Sequence, residues 1–296
     1  MLQDLAFGHL DNHYEDHAPK KGDIVLCMQG NGIMVARDRL DALTLPLYEQ
    51  VQDWCTDWQH WDDQPFRYVF TLQEVRYFLW MGQAGQPGDA AFAYEPAATL
   101  RQGVSKTVCF AAMTGWHLYN WYQKNRLCGG CGAETVHDER ERMLRCPVCG
   151  NLIFPRINPV VIAAVCSGEK LLLSRYAGRD YTHYALIAGY TEIGETIEQT
   201  VAREVMEEVG LRVKNLRYYK SQPWGVDGNV LMGFYCDLEG DDTIHLDQTE
   251  LSLAQWYHRD SLPAQDDGIS LTREMIRVFE EGREPRQNVF QKGTAQ

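Results

Sequence analysis

Glu204, Glu207 and Glu208 lie in the stretch Arg203-Glu204-Val205-Met206-Glu207-Glu208-Val209-Gly210-Leu211, whose apolar spacing is helical. At positions i, i+3 and i+4 the three carboxylates share one helix face within a turn. Like charges so placed repel by roughly 0.2 to 0.5 kcal/mol per pair. A hard divalent cation such as Mg2+ or Mn2+ relieves that repulsion. Such a cation bridges phosphate oxygens, offsets charge in the transition state and lowers the pKa of a bound water, functions that phosphoryl chemistry needs more than a covalent nucleophile. Arg203 directly precedes the first carboxylate and can grip another as a fork, with Glu195 as the obvious partner. Gly189 and Gly194 allow the preceding loop to approach a ligand closely. Glu207-Glu208 alone reads as a solvated helix face. The complete order reverses that reading: Gly189, five residues, Glu195, seven residues, Arg203-Glu204, then Glu207-Glu208 and Gly210, with Val205 and Leu211 apolar.

A second constellation is Cys128-Gly-Gly-Cys131 and Cys146-Pro-Val-Cys149, two knuckles separated by 14 residues. This is the pattern of a four-thiolate zinc ribbon, with Gly132 and Gly150 placed for the knuckle turns. Four thiolates leave no open coordination position, so one Zn2+ per chain is expected in a structural role. A thioredoxin-like redox pair would not need the second knuckle. Both signs of charge lie between the pairs, which leaves a nucleic-acid role for the ribbon open but not indicated.

These groups need elements to position them. The sequence predicts a helix over Ile197 to Val209 that stops at Gly210. A hairpin is expected from Val160–Cys166 and Lys170–Ser174 about the turn at 167–169, with further strands at Val230–Leu238 and Ala254–His258 and a closing helix at Leu271–Phe279. Upstream, Ile24–Met28, Gly32–Ala36, Tyr68–Leu72 and Val75–Trp80 read as strands. Gly82–Pro96 reads as a loop and Cys109–Tyr122 as a helix. The last residues, 287–296, are polar and read as a frayed tail.

Nine cysteines is an odd number; four are paired as above, and Cys27, Cys55, Cys109, Cys166 and Cys236 are scattered and read as small buried hydrophobes. That usage fits a reducing compartment, and the first residues lack the apolar core of a secretory signal, so a cytoplasmic location is expected. The 296 residues are enough for two domains with a small module between them. A formal charge of -13 argues against a protein held to nucleic acid chiefly by counterion release, and any RNA contact must be local. No apolar run approaches the roughly 18 to 20 residues of a membrane span.

The stretch from Gly189 to Leu211 resembles the Nudix box at every position. With the cysteine knuckles just ahead of it and Ser221-Gln222-Pro223-Trp224 after it, residues from about 105 to 285 are similar to the NADH pyrophosphatase family. The resemblance implies a Nudix α/β/α sandwich preceded by the zinc ribbon; the strands read upstream add a mixed strand-containing N-terminal domain, and the expected class is α/β. The expected boundaries are 1–124 for the N-terminal domain, 125–154 for the ribbon, 155–286 for the Nudix domain and 287–296 for the tail. It implies cleavage of NAD(H) to AMP and nicotinamide mononucleotide, removal of NAD caps from RNA in some members, and a homodimer formed around the ribbon. By the same resemblance, Glu204, Glu208, Glu250 and the carbonyl of Ala188 bind catalytic Mg2+ or Mn2+. Glu207 assists, and Glu208 or a neighbouring glutamate orients the attacking water. Tyr190 stacks on a base; Glu141, Phe154, Gln222, Pro223, Trp224 and Asn229 contact the dinucleotide.

Two departures stand out. The family usually follows Ser-Gln-Pro-Trp with Pro-Phe-Pro-x-Ser before Leu-Met, whereas here Gly225 to Val230 intervene, one residue longer and without the prolines or the aromatic. That segment is expected to be more flexible. Phe154 stands where members often carry Tyr. A broader dinucleotide or ADP-ribose hydrolase is therefore the alternative activity, and a catalytically silent nucleotide sensor or RNA-binding adaptor the alternative from another class, opposed by the intact glutamates.

Overall fold

The structure is a computed structural model that describes residues 1–5, 9–15, 17–37, 42–55, 64–82, 91–97, 100, 104–178, 183–263 and 268–286. The polar tail and most of the segment read as a loop before Ala91 lie outside those residues. The chain divides into two compact units: Met1–Leu2 with Ile157–Pro223 and Asn229–Gln296, and Gln3–Arg156 with Trp224–Gly228.

The second of these contains a sheet ordered Leu10–Asp11, Phe66–Leu72, Val75–Trp80, Ile24–Leu26, and another in which Gly32–Arg37 pairs with Met28–Gln29, Leu43–Thr44 and Phe92–Pro96. Phe92–Pro96 thus corrects the loop expected there. Its backbone finds partners along Gly32–Arg37, a pairing far away in sequence that outweighs the Gly- and Pro-rich local signal. A short helix, α1 (Tyr48–Val51), precedes the long α2 (Lys106–Asn125), whose Ser105 cap accepts from the Val108 amide. The ribbon follows as three short antiparallel strands, Val136–His137, Leu144–Arg145 and Leu152–Ile153.

In the other unit the sheet order is Arg212–Trp224, Asn229–Glu239, Asn158–Ser167, Lys170–Tyr176, Leu251–His258, with Ile187–Tyr190 paired to the first half of Asn158–Ser167. The apolar run at 160–166 is continuous because both faces of this strand are covered. Val161, Ala163 and Val165 pack with Val201, Val205 and Val209 of α3 (Ile197–Val209), while Ile162, Ala164 and Cys166 pack with Leu271, Met275 and Phe279 of α4 (Leu271–Glu280). This is the expected α/β/α sandwich. The strand Arg212–Trp224 was not legible beforehand: Lys214-Asn215 interrupts its apolar alternation, and Asn215 sits at φ 51. No helix among the described residues is long and apolar enough to cross a membrane.

Candidate active site

Helix α3 opens on a reciprocal cap: the Thr196 hydroxyl accepts from the Gln199 amide at 3.2 Å, and the Gln199 side chain accepts from the Thr196 amide at 2.8 Å. It ends at Gly210, φ 69, whose N–H donates to Met206. Its apolar stripe points Val201, Val205 and Val209 into the core, and the helical period then places the glutamates at its edge. Glu204 and Glu208 are buried, 8% and 2% exposed, whereas Glu207 faces solvent.

Arg203 organises this edge. Its Nε donates to Glu195 Oε1 at 2.6 Å and its Nη2 to Oε2 at 3.0 Å, the fork expected from the sequence. Nη1 donates to Glu204 at 2.7 Å and Glu207 at 2.9 Å, and Nη2 reaches the Tyr190 carbonyl at 2.9 Å. The guanidinium lowers the Glu195 pKa to about 2, and the same contacts raise that of Arg203. Burial pushes the Glu204 carboxyl up, against the pull of Arg203 and with the help of negative charge on Glu207 and Glu250. Thr200 was missed by sequence reasoning: fully buried, it donates its hydroxyl to Glu195 at 3.0 Å. Its only signal was a Thr one turn after the capping Thr196.

The carboxylate of Glu204 lies over Gly189, where a Cβ would come within 2.0 Å of the carboxyl carbon. Only glycine leaves that space. Ala188 is adjacent on Ile187–Tyr190, and the turn carrying Glu250 is tied to α3 by a bond from the Asp247 amide to the Glu208 carbonyl, 2.9 Å. Tyr190 is 53% exposed, and its hydroxyl accepts from Asn229 Nδ2 at 3.1 Å. Ala188, Tyr190, Arg203, Glu204, Glu207, Glu208, Asn229 and Glu250 therefore belong to one unit. Gln222 belongs to it too, but is fully buried with its amide engaged at both ends, donating to the Ile269 carbonyl and accepting from the Leu271 amide, each 2.7 Å. Pro223 next to it is exposed. Trp224, Glu141 and Phe154 belong to the other unit; Trp224 is buried and donates to Asp227 at 3.2 Å, while Glu141 and Phe154 are exposed.

In the ribbon the four sulfurs lie within 4.8 Å of one another, with Cys128–Cys149 at 3.6 Å and Cys131–Cys146 at 3.4 Å. Zinc–sulfur bonds of about 2.3 Å place tetrahedral sulfurs about 3.8 Å apart, so the four fit that ion. The amides of Gly130 and Cys149 point at Cys128 and Cys146, at 3.4 and 3.5 Å, as thiolates require.

A family model described as the NADH pyrophosphatase zinc ribbon domain matches residues 123–154, and the NUDIX domain model matches 156–279. A protein of Pectobacterium atrosepticum named NAD-capped RNA hydrolase NudC is 38% identical over 60% of this chain and 69% of its own. One of the same name from Pseudomonas aeruginosa is 32% identical over 84% of this chain and 83% of its own. The chain belongs to the NADH pyrophosphatase family of Nudix hydrolases. Among solved structures, a NUDIX hydrolase from Nitrosomonas europaea is 24% identical with a TM-score of 0.48, covering 55% of this chain and 95% of that one.

In this Nudix hydrolase the four cysteines form a cluster positioned for a metal, and among the described residues no other group of three or more His, Cys, Asp or Glu donors is as tightly gathered. Arg203 holds the Glu204 and Glu207 carboxylates together, both accepting from its Nη1, and its positive charge offsets their repulsion. Hard carboxylate oxygens on one helix edge, with a glycine cradle beneath the first of them, suit Mg2+ or Mn2+, the ions Nudix hydrolases use.

Proposed function

We propose that the chain hydrolyses the pyrophosphate of NAD(H), giving AMP and nicotinamide mononucleotide, and also removes NAD caps from RNA. One observation carries this reading: a single chain combines the pyrophosphatase-type ribbon with a complete box whose Glu204 folds over Gly189. The curated names of its relatives support it.

In this reading Ala188, through its carbonyl, Glu204, Glu208 and Glu250 hold the divalent cations. When bound, these ions supply phosphate bridging and charge neutralisation. Glu208, or Glu207 beside it, orients the attacking water and accepts its proton. Arg203 positions Glu204 and Glu207 and balances their charge. The exposed ring of Tyr190, steadied by Asn229, stacks on a base. Gln222 and Pro223 of the α3 unit, and Glu141, Phe154 and Trp224 of the other, are assigned as substrate-binding residues by the family resemblance alone; the Gln222 amide also fixes the segment at Ile269–Leu271 that opens α4.

The chain works as a homodimer in the cytoplasm. Exposed Leu127, Val136, Val148, Leu152 and Phe154 give the ribbon an apolar surface suited to a second copy. The second reading, a broader dinucleotide or ADP-ribose hydrolase, is favoured by the proline-free Gly225–Val230 segment.

The test offers the protein, with Mg2+ or Mn2+, NADH, NAD, ADP-ribose, diadenosine polyphosphates and NAD-capped RNA, and resolves the products. Preferential release of AMP and nicotinamide mononucleotide, or of uncapped RNA, is expected. Much faster turnover of ADP-ribose selects the second reading, and no turnover of any substrate selects a silent sensor.

A further inference from the structure

Five cysteines lie outside the ribbon, and two of them meet. Cys27 and Cys55, 28 residues apart in sequence, bring their sulfurs to 3.9 Å. Each backbone is pinned independently. The Cys27 carbonyl accepts from the Met34 amide at 2.9 Å, and the Cys55 amide donates to Val51, the last residue of α1, at 2.9 Å. Around them pack Val25, Val51, Phe66, Trp80 and Phe92, with Trp54 edge-on to Phe92 at 5.2 Å.

We propose that Cys27 and Cys55 form a reversible dithiol/disulfide pair, a modification site for peroxide within the N-terminal unit. A disulfide of about 2.05 Å requires each sulfur to move by roughly 0.9 Å, within the reach of small side-chain rotations. Burial divides the roles: Cys27 is fully buried, whereas Cys55 is partly open to solvent. The Cys55 thiolate attacks hydrogen peroxide, breaking the O–O bond to give Cys55 sulfenic acid and, after proton transfer, one water. The Cys27 sulfur then attacks the Cys55 sulfur, forming the S–S bond and expelling hydroxide, which takes the Cys27 proton and leaves as a second water. Two thiols lose two electrons and two protons, and one peroxide becomes two waters. The bond cross-links the turn after α1 to the end of the strand Ile24–Leu26.

The zinc-loaded full chain is titrated with hydrogen peroxide, free thiols are blocked by alkylation, and unreduced peptides are mapped by mass spectrometry, with zinc release followed in parallel. A Cys27–Cys55 linked peptide is expected before zinc is lost, lighter than the reduced pair by two hydrogens. It should return to two alkylatable thiols on treatment with dithiothreitol. Cys55→Ser should abolish it, leaving Cys27 reduced, and Cys27→Ala should leave Cys55 trapped as sulfenic acid, captured by dimedone. Two outcomes overturn the proposal: Cys55 oxidised to the sulfinic acid in the unsubstituted chain while Cys27 remains alkylatable, or a link that forms only after zinc has left.

Discussion

Arg203 touches three carboxylates and a carbonyl through one planar group, so replacing it with lysine removes the fork while keeping the charge. Arg203→Lys is expected to lower kcat by about 10- to 100-fold with little change in KM, the signature of lost positioning, as read by steady-state kinetics. Gly189→Ala tests the cradle: the added methyl must displace the Glu204 carboxylate. Turnover should collapse while the circular dichroism spectrum and zinc content stay normal, and retained activity would count against Glu204 as a metal ligand. Glu208→Gln should likewise abolish turnover without unfolding the chain.

At the scale of the helix, α3 depends on its ends as much as on its apolar stripe. Thr196→Ala removes the side-chain acceptor for the Gln199 amide and should cost about 1 kcal/mol in urea denaturation. Gly210→Ala forces an L side chain into a left-handed conformation, and its Cβ would come within 2.8 Å of the His245 Cβ. A loss of roughly 1 to 2 kcal/mol is expected, larger than at the cap because strain and collision add. An α3 that tolerated both changes would have to be held by Val201, Val205 and Val209 alone.

At the scale of the molecule, two separate anchors respond to different conditions. Chelation of the ribbon metal should release about one zinc per chain and expose the four thiols to alkylation, while the α3 unit keeps its helical signal. Acid should act on Glu274, a member of that other unit. Burial disfavours its carboxylate, yet Lys220, Tyr219 and the amino group of Met1 outweigh burial and hold its pKa at about 2. A carboxyl lowered from its ordinary 4.5 contributes its full stabilisation above that value and loses it as pH falls toward about 2. Glu274→Gln should therefore cost roughly 2 to 3 kcal/mol at neutral pH and flatten the acid limb of the stability profile, as measured by urea titration at several pH values.

Helix α3 and the cysteine ribbon were readable from the amino acids because their determinants are local: carboxylates one turn apart, a cap and a stop at the helix ends, cysteines three residues apart. The hairpin at 158–176 was readable for the same reason. Folding in three dimensions decided what depends on partners remote along the chain. Phe92–Pro96 became a strand because Gly32–Arg37 was there to receive it, and Arg212–Trp224 became one beside Asn229–Glu239 despite a weak alternation. The buried Gln222 amide found its partners, the carbonyl of Ile269 and the amide of Leu271, on a segment distant along the chain. Cys27 and Cys55 looked unrelated until the turn after α1 brought them together. Periodicity encodes which face of an element is apolar, but the identity of the group opposite is set only when the chain closes on itself.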